Sequence, residues 1–444
     1  MIPVLFIAYY FPPAGGAGVQ RSQKFVRYLP AEGFLPIVIT GPWPSGSRWT
    51  PSDAALADEI SADVKVLRAE GPIPKGGNLW GDRLNRWIGT TDPFSKWWVQ
   101  SGSKAALQGI NSAQIIFATM SPFSTADLAH KVSQRTGIPW IADLRDPWAL
   151  DEMQIYPSRL HRIAEMHRMR RLLSSASGVI MNTPESTAVL RGVFPEFEAK
   201  RVTTITNGYD APDFECEIPP RTDGKFRIVH TGYLHTDAGL ELKQKRKFYH
   251  LLGGIEGGVD ILTRSHVYLL KAVEQWLSRD SNVARDLEIV FAGVTSEQDK
   301  AAVANSKLAQ FIKLPGYLSH LESVRLVRTA DLLFLPMHNL ERGRRSRIVP
   351  GKTYEYMASG QPILAAVPEG DAKDFLQQTG TAFIARPDDS DGMVRELDRV
   401  YSAWRQGVTV ARPDRGFIRK FDRVNLTKDL AALFREVLQD APIR

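Results

Sequence analysis

Residues 3–10, PVLFIAYY, contain no charged or amide side chain. A strand with one face in water alternates apolar and polar positions. A continuous run of this length fits a strand covered on both faces, as in parallel sheets. The pattern recurs at residues 35–40, 115–119, 137–144, 178–182, 202–206, 226–231, 287–292, 330–336 and 363–367, mostly with helix-length segments between. Strands alternating with helices predict doubly wound α/β domains. At 444 residues the chain exceeds one ordinary domain. The polar, proline-containing stretch 211–225 breaks the pattern. We therefore expect a first domain over 1–210, a linker over 211–225 and a second domain over 226–419.

Composition narrows the classes. The lone cysteine, Cys216, excludes an intramolecular disulfide and fits a reducing compartment. No apolar run reaches membrane-spanning length, and Met1 leads straight into the first strand, so neither a transmembrane helix nor a signal peptide is expected. The formal net charge of +7 suits anionic partners, either nucleotide diphosphates or an anionic membrane face. No basic helix with interleaved aromatics stands out, so no nucleic-acid partner is expected. No clustered His/Cys/Asp motif calls for a metal.

The segment 347–366, RIVPGKTYEYMASGQPILAA, reads as a loop, a short helix, a glycine stop and a buried strand. A helix N-terminus presents free N–H groups and partial positive charge, which suits phosphate. Lys352 adds a full charge there, and Glu355 lies one turn on. Cation and carboxylate together suit a nucleotide diphosphate; the plain alternative is a surface ion pair. The first strand runs into FPPAGGAGVQR, a glycine-rich loop before a helix, without a G-x-G-x-x-G in register. Arg21 in that string either faces a ligand or pairs on the surface. Arg145 and Asp146, in RDPW, should sit at a strand's carboxyl end; alternatively Asp146 caps the next turn. Trp80, Trp87, Trp97 and Trp98 lie in the irregular stretch 41–103, as an acceptor surface or as packing. Residues 158–177 predict an amphipathic helix with the stripe Leu160, Ile163, Met166, Met169 or Arg170, and Leu173, and a basic face that is either solvated or, as the lesser reading, turned to a membrane. Arg342, Arg344, Arg345 and Arg347 precede the phosphate helix, either solvated or on the donor.

K-x-x-E-Y-M-A-S-G-x-P-I-L-A, beginning at Lys352, resembles the second-domain signature of GT-B glycosyltransferases in the retaining family 4 (glycosyl transferases group 1). A-D-L-R-D-P-W is similar to the D-F-R-D-P-W string of a branch acting on bacterial surface and secondary-metabolite sugars, and TNGYD resembles the family's N-G-V/I-D turn. The resemblance implies two Rossmann-like domains facing across a cleft, with the C-terminal helix in 420–440 packed back on the first. It implies transfer of a sugar from a nucleotide-sugar donor to a hydroxyl with retention, without metal or cofactor. The acceptor would be a carbohydrate, a lipid-linked sugar or a small molecule. The location would be cytoplasmic, either free or peripheral at the inner membrane face. Glu355 would hold the ribose, and Lys352, Gly351 and Thr353 would lie by the phosphates. Gly15 and Gly16 would lie under the donor, Gly232 close to it, and Tyr317 at the base. Arg264 would match the Arg of R-x4-K, with Leu269 in place of the Lys. Asp146 and Arg145 would be catalytic. Arg347 stands where many members carry a first Glu. The segment 234–263 departs from the family as an insertion. A non-catalytic nucleotide-sugar binder and a GT-B epimerase remain as alternatives.

Overall fold

The computed structural model describes residues 1–43, 51–74, 92–215 and 217–440; Trp80, Trp87 and Cys216 lie outside them. The chain divides into two compact units. Unit 1 comprises Met1–Asn207, Leu251–Ile255 and Arg423–Arg444; unit 2 comprises Gly208–His250 and Glu256–Asp422.

Unit 1 is built on β1 (Ile2–Ala8), β2 (Phe34–Thr40), β3 (Lys65–Arg68), β4 (Ile115–Met120), β5 (Trp140–Leu144), β6 (Gly178–Met181) and β7 (Val202–Thr204). All pairings are parallel, in the order β3-β2-β1-β4-β5-β6-β7. The continuous apolar run of β1 follows from burial on both faces. Val4, Phe6 and Ala8 point into one core layer with Phe25, Phe34 and Phe117. Leu5 and Ile7 point into the other with Trp98, Leu128 and Trp140. The terminal helix Arg423–Asp440 places Leu426, Leu430, Phe434 and Val437 on the first layer. The Phe434 ring lies 5.2 Å from Phe34 and 5.7 Å from Phe117.

Unit 2 uses β8 (Phe226–Thr231), β9 (Val259–Asp260), β10 (Leu287–Ala292), β11 (Ile312–Gly316), β12 (Leu332–Pro336), β13 (Asn339–Leu340), β14 (Ile363–Ala366) and β15 (Ala382–Ala385). Six form a parallel sheet in the order β11-β10-β8-β12-β14-β15, and β9 pairs with β13 antiparallel. Both large sheets therefore reverse strand order beside their first strand, between β1 and β4 and between β8 and β12. That reversal marks where open α/β sheets take ligands, at the carboxyl ends of the strands.

Several expectations change. Trp98 is fully buried, with its indole N–H on Thr125 Oγ1 at 3.0 Å, so it is core and not an acceptor surface. Its helix, Pro93–Gly109, starts on an Asp92 cap inside the stretch read as irregular. The expected linker 211–225 carries contacts of its own. Tyr209 and Phe214 pack ring to ring at 5.8 Å, and Arg221 pairs with Asp223 and Asp331. The insertion is mainly one helix, Thr236–Leu251. In the helix Arg159–Ser175 only Met169, Leu172 and Leu173 are buried, and Leu160 and Ile163 face solvent. The apolar stripe thus serves the core only in the helix's second half.

Candidate active site

At the carboxyl edge of unit 2, three strand ends converge because glycines let their backbones meet. Gly232 follows β8 with φ +100°, and its amide donates to Ala292 O at 2.7 Å. Gly293 follows β10 with φ +141°, and its amide donates to Gly316 O at 2.8 Å. A Cβ on Gly293 would stand 2.4 Å from Gly232 O, so only glycine fits. A Cβ on Gly232 would stand 3.0 Å from the Lys352 amine.

Lys352 lies in the first turn of the helix Gly351–Ser359. Pro350 precedes it with no capping side chain, and the helix stops at Gly360 with φ +74°. The first N–H groups therefore have no intrahelical acceptor. Lys352 Nζ lies 3.0 Å from His230 Nε2, and His230 Nδ1 lies 3.0 Å from Phe334 O on β12. The carbonyl can only accept, so Nδ1 carries the proton and Nε2 accepts from the amine. His230 thereby spans the β8/β12 reversal and holds the lysine beside it. Burial, then the Lys352 charge, keeps the His230 pKa well below its usual value. The Lys352 amine is brought down to about 7 by burial and then by Arg264, against the pull of Glu355. His235 is lowered to about 2 by burial and then by Arg264. Its Nδ1 is buried without a hydrogen-bond partner. The structure thus gathers Lys352, Arg264, His230, His235 and a bare helix start at one edge.

Glu355 is half-buried on the same helix and makes no hydrogen bond or ion pair with a described residue. The lysine's hydrogen bond goes to His230, which removes the reading of a Lys352–Glu355 surface pair. Gly351 is exposed at the helix start. Thr353 is fully buried; its amide donates to Pro350 O at 3.0 Å, and its Oγ1 has no hydrogen-bond partner. Tyr317 stands 37% exposed just past β11.

The arginine run is largely engaged. Arg347 makes two bonds of 3.1 Å to Glu256, Arg344 also reaches Glu256, and Arg345 pairs with Asp374 at 2.6 Å. Sequence reasoning missed Glu256, which sits in a glycine-rich turn with no pattern around it. It also missed His230, whose one signal was a polar residue inside an otherwise apolar strand end.

In unit 1 the expected site residues are mostly tied up. The Gly15 amide donates to Pro51 O at 2.6 Å, beside a bridge between Ala14 and Ser52. Gly16, with φ +92°, precedes the helix Ala17–Tyr28. Arg145 donates to Met120 O and Gly18 O, not to Asp146. Its guanidinium therefore ties the first turn of the helix Ala17–Tyr28 to the end of β4. Arg21 is neither at a ligand nor on the surface. It is buried on Asp143 at 3.0 and 2.7 Å and on the carbonyls of Ile205 and Thr206. Asp146 is exposed, caps no turn and makes no hydrogen bond or ion pair with a described residue.

Residues 260–403 match the family model described as Glycosyl transferases group 1. No curated protein sequence matches. Among solved structures, the chain is similar to a sucrose-phosphate synthase from Thermosynechococcus elongatus, with TM-score 0.66 and 14% identity over 99% of this chain and 100% of that one. It is similar to Anabaena HepE in complex with UDP-glucose, with TM-score 0.60 and 14% identity over 98% and 100%. It is also similar to a putative UDP-N-acetylglucosamine 2-epimerase from Listeria monocytogenes, with TM-score 0.55 and 13% identity over 99% and 98%. At these identities the likeness establishes the fold, which is GT-B: two Rossmann-like domains, each on a parallel sheet.

Proposed function

We propose that the chain is a glycosyltransferase that moves a sugar from a nucleotide-sugar donor to a hydroxyl. The observation that carries this reading is the Lys352 amine, pinned between His230 and Gly232 at the sheet's ligand edge, with the uncommitted Glu355 carboxylate one turn on. The family match over residues 260–403 covers this helix.

Lys352, Arg264 and the amides at Gly351 would take the donor diphosphate, and Glu355 the ribose hydroxyls. As the bond from the anomeric carbon to the β-phosphate oxygen breaks, negative charge grows on the diphosphate. A fixed cation and a helix start stabilise that charge without reorganising. The acceptor oxygen forms the new bond to the anomeric carbon and passes its proton to the departing diphosphate oxygen, and nucleoside diphosphate leaves. We place Asp146 on the acceptor hydroxyl or the transferred sugar, with Arg145 shaping the loop that carries it. Retention at the anomeric carbon, independence of metal, an acceptor among carbohydrates, lipid-linked sugars or small molecules, and a cytoplasmic role in bacterial surface polysaccharide or glycoconjugate synthesis belong to the same proposal.

The test is a thermal-shift panel of UDP-, GDP-, ADP- and dTDP-sugars on wild type and Glu355→Ala, followed by turnover with acceptors. Stabilisation of wild type alone and a glycoside product are expected. A free epimerised sugar, or binding without turnover across all acceptors, would replace the transferase reading.

A further inference from the structure

Among its described residues, unit 1 leaves Met1, Val193, Ile155, Leu160, Ile163 and Leu251 exposed, and the last four come from two neighbouring segments. Ile155, Leu160 and Ile163 are 37%, 76% and 40% exposed, and Leu251 is 85% exposed. They come from two segments distant in sequence that the backbone joins. The amide of Arg159 donates to Leu252 O at 2.8 Å, and that of Tyr156 to Gly254 O at 2.8 Å. A Cβ on Gly253 would stand 3.0 Å from Arg159 Cβ. Leu251 and Leu160 therefore belong to one surface.

The outward face of the helix Arg159–Ser175 continues it. Arg159, Leu160, Ile163, Ala164, His167 and Arg171 are all exposed there, and none is acidic. Glu165 is turned away, accepting from the Trp148 indole and from Arg168, each at 2.7 Å. Arg170 is held by Glu196 at 2.5 Å. Arg159 and Arg171 make no ion pair with a described residue. The face is thus apolar at its start, with an arginine near each end.

Exposed apolar patches of this kind mark contact surfaces. A second copy of the chain is a poor occupant, because a two-fold contact through this face would set arginine against arginine. We propose that this face docks on an anionic phospholipid bilayer, with Leu160, Ile163 and Leu251 entering the headgroup–acyl boundary and Arg159 and Arg171 meeting lipid phosphates. Burial of an apolar helix face and attraction of basic residues to anionic headgroups act together in such contacts. No described helix is long and apolar enough to cross a membrane, so the contact lies in the surface plane. The proposal does not depend on the donor site.

The test is co-sedimentation with vesicles of phosphatidylcholine containing about one-third phosphatidylglycerol. Wild type should pellet with these at least about tenfold more than with phosphatidylcholine alone, and lose that preference in high salt. Leu160→Ser with Leu251→Ser, and separately Arg159→Gln with Arg171→Gln, should each lower partitioning about tenfold or more. All four side chains are exposed, so melting temperature and donor-induced thermal shift should match wild type. Failure of wild type to pellet with anionic vesicles, or equal pelleting of the serine variant, would overturn the proposal. So would a dimer in light scattering that the serine variant dissolves, which would assign the face to a contact between copies.

Discussion

Both units reverse strand order beside their first strand, and each places a cation at that reversal, yet the two cations are held differently. In unit 1 the Arg145 guanidinium lies on the carbonyls of Gly18 and Met120, and the Gly15 amide is bonded to Pro51. Backbone acceptors there consume the donors. In unit 2 the Lys352 amine lies on a single neutral imidazole, with Arg264 close enough to lower its pKa and Glu355 uncommitted. A donor on a carbonyl is satisfied by the fold. An amine on one histidine keeps two further N–H bonds to give, so it is available to a phosphate. Backbone acceptors thus close one reversal, and the other stays chemically open.

The comparison breaks most sharply at the buried pair of unit 1. Asp143→Asn leaves the Arg21 charge facing a neutral amide at a site only 1% exposed. Removing one partner of such a pair costs about 3–5 kcal/mol. Urea unfolding should show this loss, while donor affinity of the remaining folded protein stays as in wild type. A stable Asp143→Asn protein with weakened donor binding would move the functional weight to unit 1.

Glu355→Ala should do the reverse. A hydrogen bond to a charged group is worth about 1.5–3 kcal/mol, so donor affinity should fall by one to two orders of magnitude. Melting temperature should hardly change, since the carboxylate has no partner to abandon. Lys352→Ala should weaken nucleoside diphosphate more than nucleoside. Equal loss for both, in calorimetry, would make the lysine a structural prop.

How much of this was readable without coordinates follows from distance along the chain. The strands, the helix Gly351–Ser359 and its glycine stop were legible because periodicity and end signals are local. Lys352 and Glu355 were legible because they share one helix. Their use was not, since Lys352 turns to His230, over a hundred residues away. Arg21 and Arg145 look like site cations in sequence. Their partners Asp143, Gly18 and Met120 become neighbours only when β1, β4 and β5 are side by side. Asp146 was given two readings, and the fold removes the cap without supplying a ligand.

The open reversal should also titrate. With the Lys352 pKa near 7, the amine is charged in the free protein below that pH and increasingly neutral above it. A diphosphate binds the charged form, so donor dissociation constants should be flat below about pH 7. Above it they should rise by up to about tenfold per pH unit until the pKa of the complex is reached. Calorimetry in two buffers of different ionisation enthalpy should show proton uptake at pH 8 and little at pH 6. Flat affinity from pH 6 to 9 would mean that the amine does not meet the phosphate.

The smallest expected change falls on Asp146, and it separates the two units most finely. An exposed carboxylate that makes no hydrogen bond or ion pair with a described residue contributes little to folding, so Asp146→Asn should leave the melting temperature nearly unchanged. A cap at this position would instead have cost about 0.5–2 kcal/mol. If the carboxylate meets the acceptor hydroxyl or the transferred sugar, removing its charge while keeping its shape should lower turnover at least about tenfold, a barrier change of roughly 1.4 kcal/mol. If it meets the acceptor hydroxyl, donor affinity should stay put, because Lys352 and Glu355 lie in the other unit; a contact to the transferred sugar would weaken donor binding as well. A drop in kcat at constant donor affinity would show that unit 1 contributes chemistry through this one side chain, beside a reversal otherwise closed by its own backbone. Full turnover in Asp146→Asn would remove the only uncommitted carboxylate proposed for unit 1 and leave the site's chemistry to unit 2.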